Sequence, residues 1–152
     1  MTIEARLAQL GIDLPEAAAP VASYVPVVIE GGLAYVSGQL PFVDGELVKG
    51  RLGENVSPED GQVAARACGL MILAQLKKAG VLEKVRRVVR LGGFVSSTAD
   101  FTGQPAVVNG TSDLMVEVFG DAGKHARSAV GVPVLPLGAA VEVDAILAVD
   151  MD

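Results

Sequence analysis

At 152 residues the chain is long enough for one domain with a real core, and its 51 % apolar content exceeds the ~45 to 50 % usual for soluble domains, so spare apolar surface points to subunit contacts. A net charge of −6 argues against an extended phosphate-binding face, and no apolar run nears the roughly 20 residues of a membrane helix. Met1-Thr2-Ile3-Glu4-Ala5-Arg6 carries no signal-peptide core, so the expectation is a cytoplasmic protein with neither a membrane nor a nucleic-acid partner. The single cysteine, Cys68, excludes an intrachain disulfide. His125, the single histidine, has no Cys/His set around it, so neither zinc nor any other metal is expected.

Thr2 to Leu10 reads as a short amphipathic helix stopped by Gly11, and Leu14 to Pro20 as an Ala/Pro connector. Residues 1–20 thus form an appended arm, and residues 21–152 a single domain. Tyr24 to Ile29 and Leu33 to Ser37 are strand-like runs around the turn Glu30-Gly31-Gly32, and Gly38-Gln39-Leu40-Pro41 breaks the pattern. Asp44 to Glu54 is glycine-rich and polar, which predicts a small hairpin and a mobile loop able to cover a pocket.

The helix signal from Pro58 to Ala79 is the strongest in the chain. Ser57 suits the N-cap, Glu59 and Asp60 the first turn, Lys77 and Lys78 the last, and Gly80 the stop. Val63, Ala64, Ala67, Leu70, Met71 and Ala74 form an apolar stripe that should pack on a sheet, with Cys68 as a core residue. Val85 to Ser96 reads as a long strand, irregular at Gly92-Gly93, with Arg86 and Arg90 on one face and Arg87 on the other. A second helix is predicted from Gln104 or Pro105 to Phe119, weakened at Gly110 and ended by Gly120. Two apolar runs around Leu135 to Gly138 close the chain, and the whole order fits an α+β sheet with two helices on one face.

The last two runs read as a hairpin in which Val134 faces Ala139, Gly131 faces Glu142, Ala129 faces Asp144 and Arg127 faces Ile146. One face is then branched and apolar, and the other carries Arg127, Glu142 and Asp144 over a floor of Ala129 and Gly131. A guanidinium in such a ribbon needs an anion, an acceptor or water. Both a structural ion pair and a carboxylate-binding pocket satisfy it. Arg127 and Glu142 would stand ~13 Å apart along the strands at ~3.3 Å per residue, room for a ligand or water between them.

Tyr35-Val36-Ser37-Gly38-Gln39-Leu40-Pro41, Asn109, Ala126-Arg127-Ser128-Ala129-Val130, Leu135-Pro136 and Val141-Glu142-Val143-Asp144-Ala145-Ile146 together resemble the RidA/YjgF family of reactive intermediate deaminases, over roughly Tyr24 to Val149. The resemblance implies a chorismate-mutase-like α+β fold, with a mixed β-sheet and two helices on one face, assembled as a homotrimer with clefts between subunits. It implies hydrolysis of 2-imino and enamine acids to 2-oxo acids and ammonia, without cofactor. Arg127 would bind the substrate carboxylate, Glu142 would position water, and Tyr24, Ser37, Gly38, Asn109 and Ala129 would line the cleft.

A forked guanidinium suits a carboxylate, and a partly desolvated carboxylate can move protons to and from water. Ala129 departs from the cysteine that many members carry there and marks a divergent subgroup, whose site would keep only backbone groups at that position. A non-catalytic trimer that binds a small carboxylate-bearing metabolite is the alternative. RNA cleavage, the family's older description, sits poorly with the acidity and the lone histidine.

Overall fold

The computed structural model describes residues 1–20 and 22–151. Val21, the expected start of the main domain, and Asp152 lie outside the described residues. Thr2 caps α1 (Ile3–Gln9) by accepting from the Ala5 N–H at 3.0 Å. β1 (Val27–Glu30) and β2 (Leu33–Gln39) join through Gly31 and Gly32, whose φ values of 61° and 76° make the tight turn that matches strand twist. β3 (Phe42–Val43) and β4 (Glu46–Leu47) turn in the same way on Asp44 and Gly45. α2 (Pro58–Lys78), β5 (Val85–Ser96), α3 (Gln104–Phe119), β6 (Ala126–Val132) and β7 (Val141–Val149) follow.

Five strands form one sheet in the order β1-β2-β7-β5-β6, antiparallel throughout except for β5 and β6, which run parallel with α3 as their crossover. The fold is therefore the expected mixed α+β sheet, with α2 and α3 on one face. β7 is central, and its alternate residues Val141, Val143, Ala145, Leu147 and Val149 are buried under the helices. α2 lies against both sheet and α3, so Ile72, Leu73 and Leu76 join the buried arc, while Val63 from the predicted stripe stays 54 % exposed. Gly110 is the contact point of the two helices rather than a flaw, since a Cβ there would strike the Gln62 carbonyl. Leu7 of α1 is buried in the same core, and the Glu83 carboxylate accepts from the Ile3 and Glu4 N–H groups at 2.8 Å each.

Three local expectations are corrected. β6 and β7 are not a hairpin: the linking residues 133–140 span a gap that β5 fills, with the Ser96 N–H donating to Ala140 O and the Ser97 N–H to Val132 O, each at 2.9 Å. A strand as apolar as β7 gains most when both its edges are paired, whereas β6, with Arg127, Ser128 and Gly131, tolerates the sheet edge. The irregularities of β5 fall between Val85 and Arg87 and between Val88 and Arg90, not at Gly92-Gly93. These slips put Arg87 and Arg90 on one face, and Arg86 pairs with Asp150 at 3.1 Å. Gly92 and Gly93 instead make room for the Asp144 carboxylate and for Val108 of α3.

The predicted mobile loop is stitched down. Leu52 is fully buried, and Gly50 N–H to Gly138 O, Ala140 N–H to Val48 O and Leu52 N–H to Ser96 O bind it to the end of the sheet at 3.1, 3.0 and 2.8 Å. The sheet face away from the helices has no such cover. Val28, Tyr35 and Val130 remain 48, 42 and 44 % exposed there, on a face that also carries Arg90, Glu142 and Asp144 and has no partner within the described residues.

Candidate active site

Register places Glu142 and Arg127 on opposite faces. Leu91 pairs with both Ala145 and Arg127, so Arg127 shares the helix-covered side of the sheet, whereas Glu142 pairs with Phe94 one position out of phase and faces the uncovered side. The shared face expected from a hairpin does not occur. The structure brings Tyr24, Ser37, Gly38 and Glu142 together in one cavity, and Arg127 and Asn109 together at the β6 edge.

The Glu142 cavity holds about 350 Å³, between the connector residues 18–20, the β2 end and the 136–137 turn. β2 bulges between Val36 and Gln39, so Ser37 and Gly38 together oppose one residue of β7. A Cβ on Gly38 would overlap the Glu142 carboxylate, so glycine there is what lets the carboxylate lie on the backbone. Ser37 is fixed by its hydroxyl donating to Val25 O at 2.8 Å and its N–H to Pro26 O at 2.9 Å. Burial, reinforced by the like charge of Asp144, raises the Glu142 carboxyl above its ordinary value of 4.5. Asp144 is also raised by burial, against the opposing pull of Arg90.

Two residues of this cavity escaped the sequence reading. Gln75, buried on α2, donates from Nε2 to Ala18 O at 2.8 Å and to Gln39 Oε1 at 3.3 Å, while Gln39 Nε2 donates to Ser37 O at 2.9 Å. The chain of amides ties the connector to the bulge. A glutamine interrupting the apolar run Met71 to Leu76 was the available signal. A larger cavity of about 590 Å³ lies beyond Phe42 and Met71 and contains none of the expected site residues.

At the other edge, Arg127 Nη1 donates to Asn109 Oδ1 at 2.7 Å and to Ser112 Oγ at 3.2 Å. Ser112 Oγ lies 2.8 Å from His125 Nε2, and His125 Nδ1 lies 2.6 Å from Gly123 O. Ser112 was also missed, although it stands one helical turn after Asn109 on the same face of α3. The Ser97 N–H bond to Val132 O at 2.9 Å sets the phase of β6, so alternation turns the Ala129 N–H and C=O outward at the open edge. Cys68 is fully buried, with Sγ donating to Val141 O at 3.7 Å, and burial then the Glu142 charge push its thiol well up. It is a core residue, without nucleophilic character.

Comparison with known proteins accords with this architecture. A family described as "YjgF/chorismate_mutase-like, putative endoribonuclease" matches residues 4–148. Protein TCP17 of Trypanosoma cruzi is 51 % identical over 148 residues, covering 95 % of this chain and 92 % of that protein. The crystal structure of Atu1372 from Agrobacterium tumefaciens, a protein described as of unknown function, superposes with a TM-score of 0.89 at 49 % identity, covering 97 % and 92 % of the two chains. That of E. coli TdcF with bound serine superposes at 0.66 with 25 % identity, covering 90 % and 94 %. With the family motifs on β2, α3, β6 and β7 and the mixed sheet that carries them, the chain belongs to the YjgF/chorismate-mutase-like (RidA/YjgF) family.

Proposed function

We propose that the protein hydrolyses small 2-imino and enamine acids to 2-oxo acids and ammonia, in clefts between the protomers of a homotrimer. The observation that carries this reading is the division of charge: a partly desolvated carboxylate in a cavity and a guanidinium held at an edge, neither with a charge partner of opposite sign among the described residues. The uncovered sheet face, with exposed Val28, Tyr35 and Val130 beside its charged residues, would supply the surface for assembly, and a second protomer would set its Arg127 edge at the mouth of the first one's Glu142 cavity. The serine bound by TdcF is a small carboxylate-bearing molecule of the size such a cleft would take.

Arg127 would fork two hydrogen bonds to the substrate carboxylate, with the outward Ala129 backbone beside it, and Tyr24, Ser37 and Gly38 would bound the substrate. Glu142 would take a proton from water as its oxygen attacks the C=N carbon, then return that proton to the nitrogen. As the resulting carbinolamine collapses, its hydroxyl proton passes by way of Glu142 to the nitrogen, the C–N bond breaks, ammonia leaves and the C=O of the 2-oxo acid forms. General acid–base help of this kind is worth about 10²- to 10⁴-fold, sufficient for imines that already hydrolyse in water, and the chemistry asks for no cofactor.

Semicarbazone trapping of 2-aminoacrylate and larger 2-imino acids generated in situ tests the reading. Wild type should remove imine faster than buffer, Arg127→Ala should lose this, and Arg127→Lys should retain part. Carboxylate binding without imine loss would make the protein a metabolite-binding trimer instead. Light scattering during size exclusion should give three protomers, and a monomer would remove the cleft. Cytoplasmic residence belongs to the same proposal, checked by fractionating cells that express the full chain.

A further inference from the structure

We infer that Ser112 and His125 are positioning residues, which aim the Nε–Nη2 edge of Arg127 at the carboxylate of the ligand; this rests on the reading of Arg127 as the carboxylate group's partner. The direction of each hydrogen bond follows from one end of the chain. A backbone carbonyl only accepts, so the 2.6 Å contact with Gly123 O places the proton of neutral His125 on Nδ1. Nε2 is then an acceptor, and the Ser112 hydroxyl, 2.8 Å away, donates to it. With its proton committed, Ser112 Oγ turns its lone pairs to Arg127 Nη1 at 3.2 Å.

Nη1 therefore meets two acceptors, Ser112 Oγ and Asn109 Oδ1, and carries two hydrogens to give them. That removes the end-on edge Nη1–Nη2 from ligand binding. Nε and Nη2 make no hydrogen bond among the described residues, and their parallel N–H groups form the one edge left for a bidentate carboxylate. A single contact with Asn109 would let the guanidinium swivel; the second acceptor fixes its plane. The anchor is itself rigid, because Gly123 packs its Cα against the Met115 and Val116 backbone of α3, where any Cβ would collide.

The test combines steady-state kinetics on a 2-imino acid with calorimetric titration of 2-oxobutanoate as an unreactive carboxylate probe. Ser112→Ala should raise both KM and the probe Kd on the order of 10-fold while kcat stays within about 2-fold, and Ser112→Thr should restore them. His125→Phe should give a smaller rise of the same kind. The double variant Ser112→Ala/His125→Phe should bind no worse than Ser112→Ala alone, because the two residues act in series. Unchanged Kd and KM in Ser112→Ala, or additive effects in the double variant, would overturn the inference even if Arg127-dependent turnover is present. Ser112-dependent probe binding without any turnover would support it while removing the deaminase reading.

Discussion

The Arg127 edge and the Glu142 cavity handle charge in opposite ways. At the edge, the guanidinium is spread over neutral acceptors, Asn109 and Ser112, which orient it without neutralising it. In the cavity, the carboxylate is desolvated beside Asp144, a charge of its own sign. Neither group spends its charge on the other, because β5 separates their strands and the register puts them on opposite faces. A fold that keeps an oriented cation and an unsettled anion apart within one chain leaves both free for a ligand, and in the proposed trimer the subunit boundary is where they meet.

The largest effects are expected at the two charges. Glu142→Gln should lower kcat by about 10²- to 10⁴-fold and leave the Kd of a carboxylate probe nearly unchanged, measured by trapping and calorimetry. Arg127→Ala should weaken probe binding on the order of 100-fold by removing two charge-assisted hydrogen bonds, so that at subsaturating imine its turnover is lost through binding and not through the proton-transfer step. Equal effects of both variants on kcat and Kd would erase the distinction between the regions.

Smaller effects are expected at two glycines. Gly38→Ala pushes a methyl group into the Glu142 carboxylate, so kcat should fall about 10-fold with a stability loss of about 1–3 kcal/mol by denaturant unfolding. Gly110→Ala should cost stability in the same range through the α2–α3 contact, without changing kcat per folded protomer. Most subtle is pH. The raised Glu142 carboxyl should place the acid limb of kcat/KM above the ordinary glutamate value of 4.5, and Glu142→Gln should remove that limb. Because burial also raises Asp144, protonation of these two groups favours the fold. Their contribution to stability is present below their ordinary values and is lost as pH rises through the raised ones, so Asp144→Asn should flatten the fall in melting temperature toward neutral pH.

Elements with local punctuation were legible in the sequence. Ser57 with Pro58, Gly80, Gly120 and the Gly31-Gly32 turn mark helix and strand limits through backbone requirements that a single chain displays. Strand partners were not legible. Two apolar runs around a Pro/Gly turn satisfy a hairpin by themselves, and only the competition of β5 for both decides otherwise. The site shows the same split. Arg127 and Glu142 stand out as charges in apolar strands, whereas Ser112 and Gln75 matter through long-range contacts on α3 and α2 that no spacing along β6 or β7 announces.

In the proposed trimer one working site takes Arg127 from one protomer and Glu142 from the next. Refolding inactive Arg127→Ala and Glu142→Gln chains together in equal amounts tests it most directly. Random assembly should give each cleft both intact residues with a probability of one half times one half, restoring about a quarter of wild-type imine hydrolysis. Mixed trimers that form, as shown by differently tagged protomers eluting together, yet stay as inactive as either parent would contradict it.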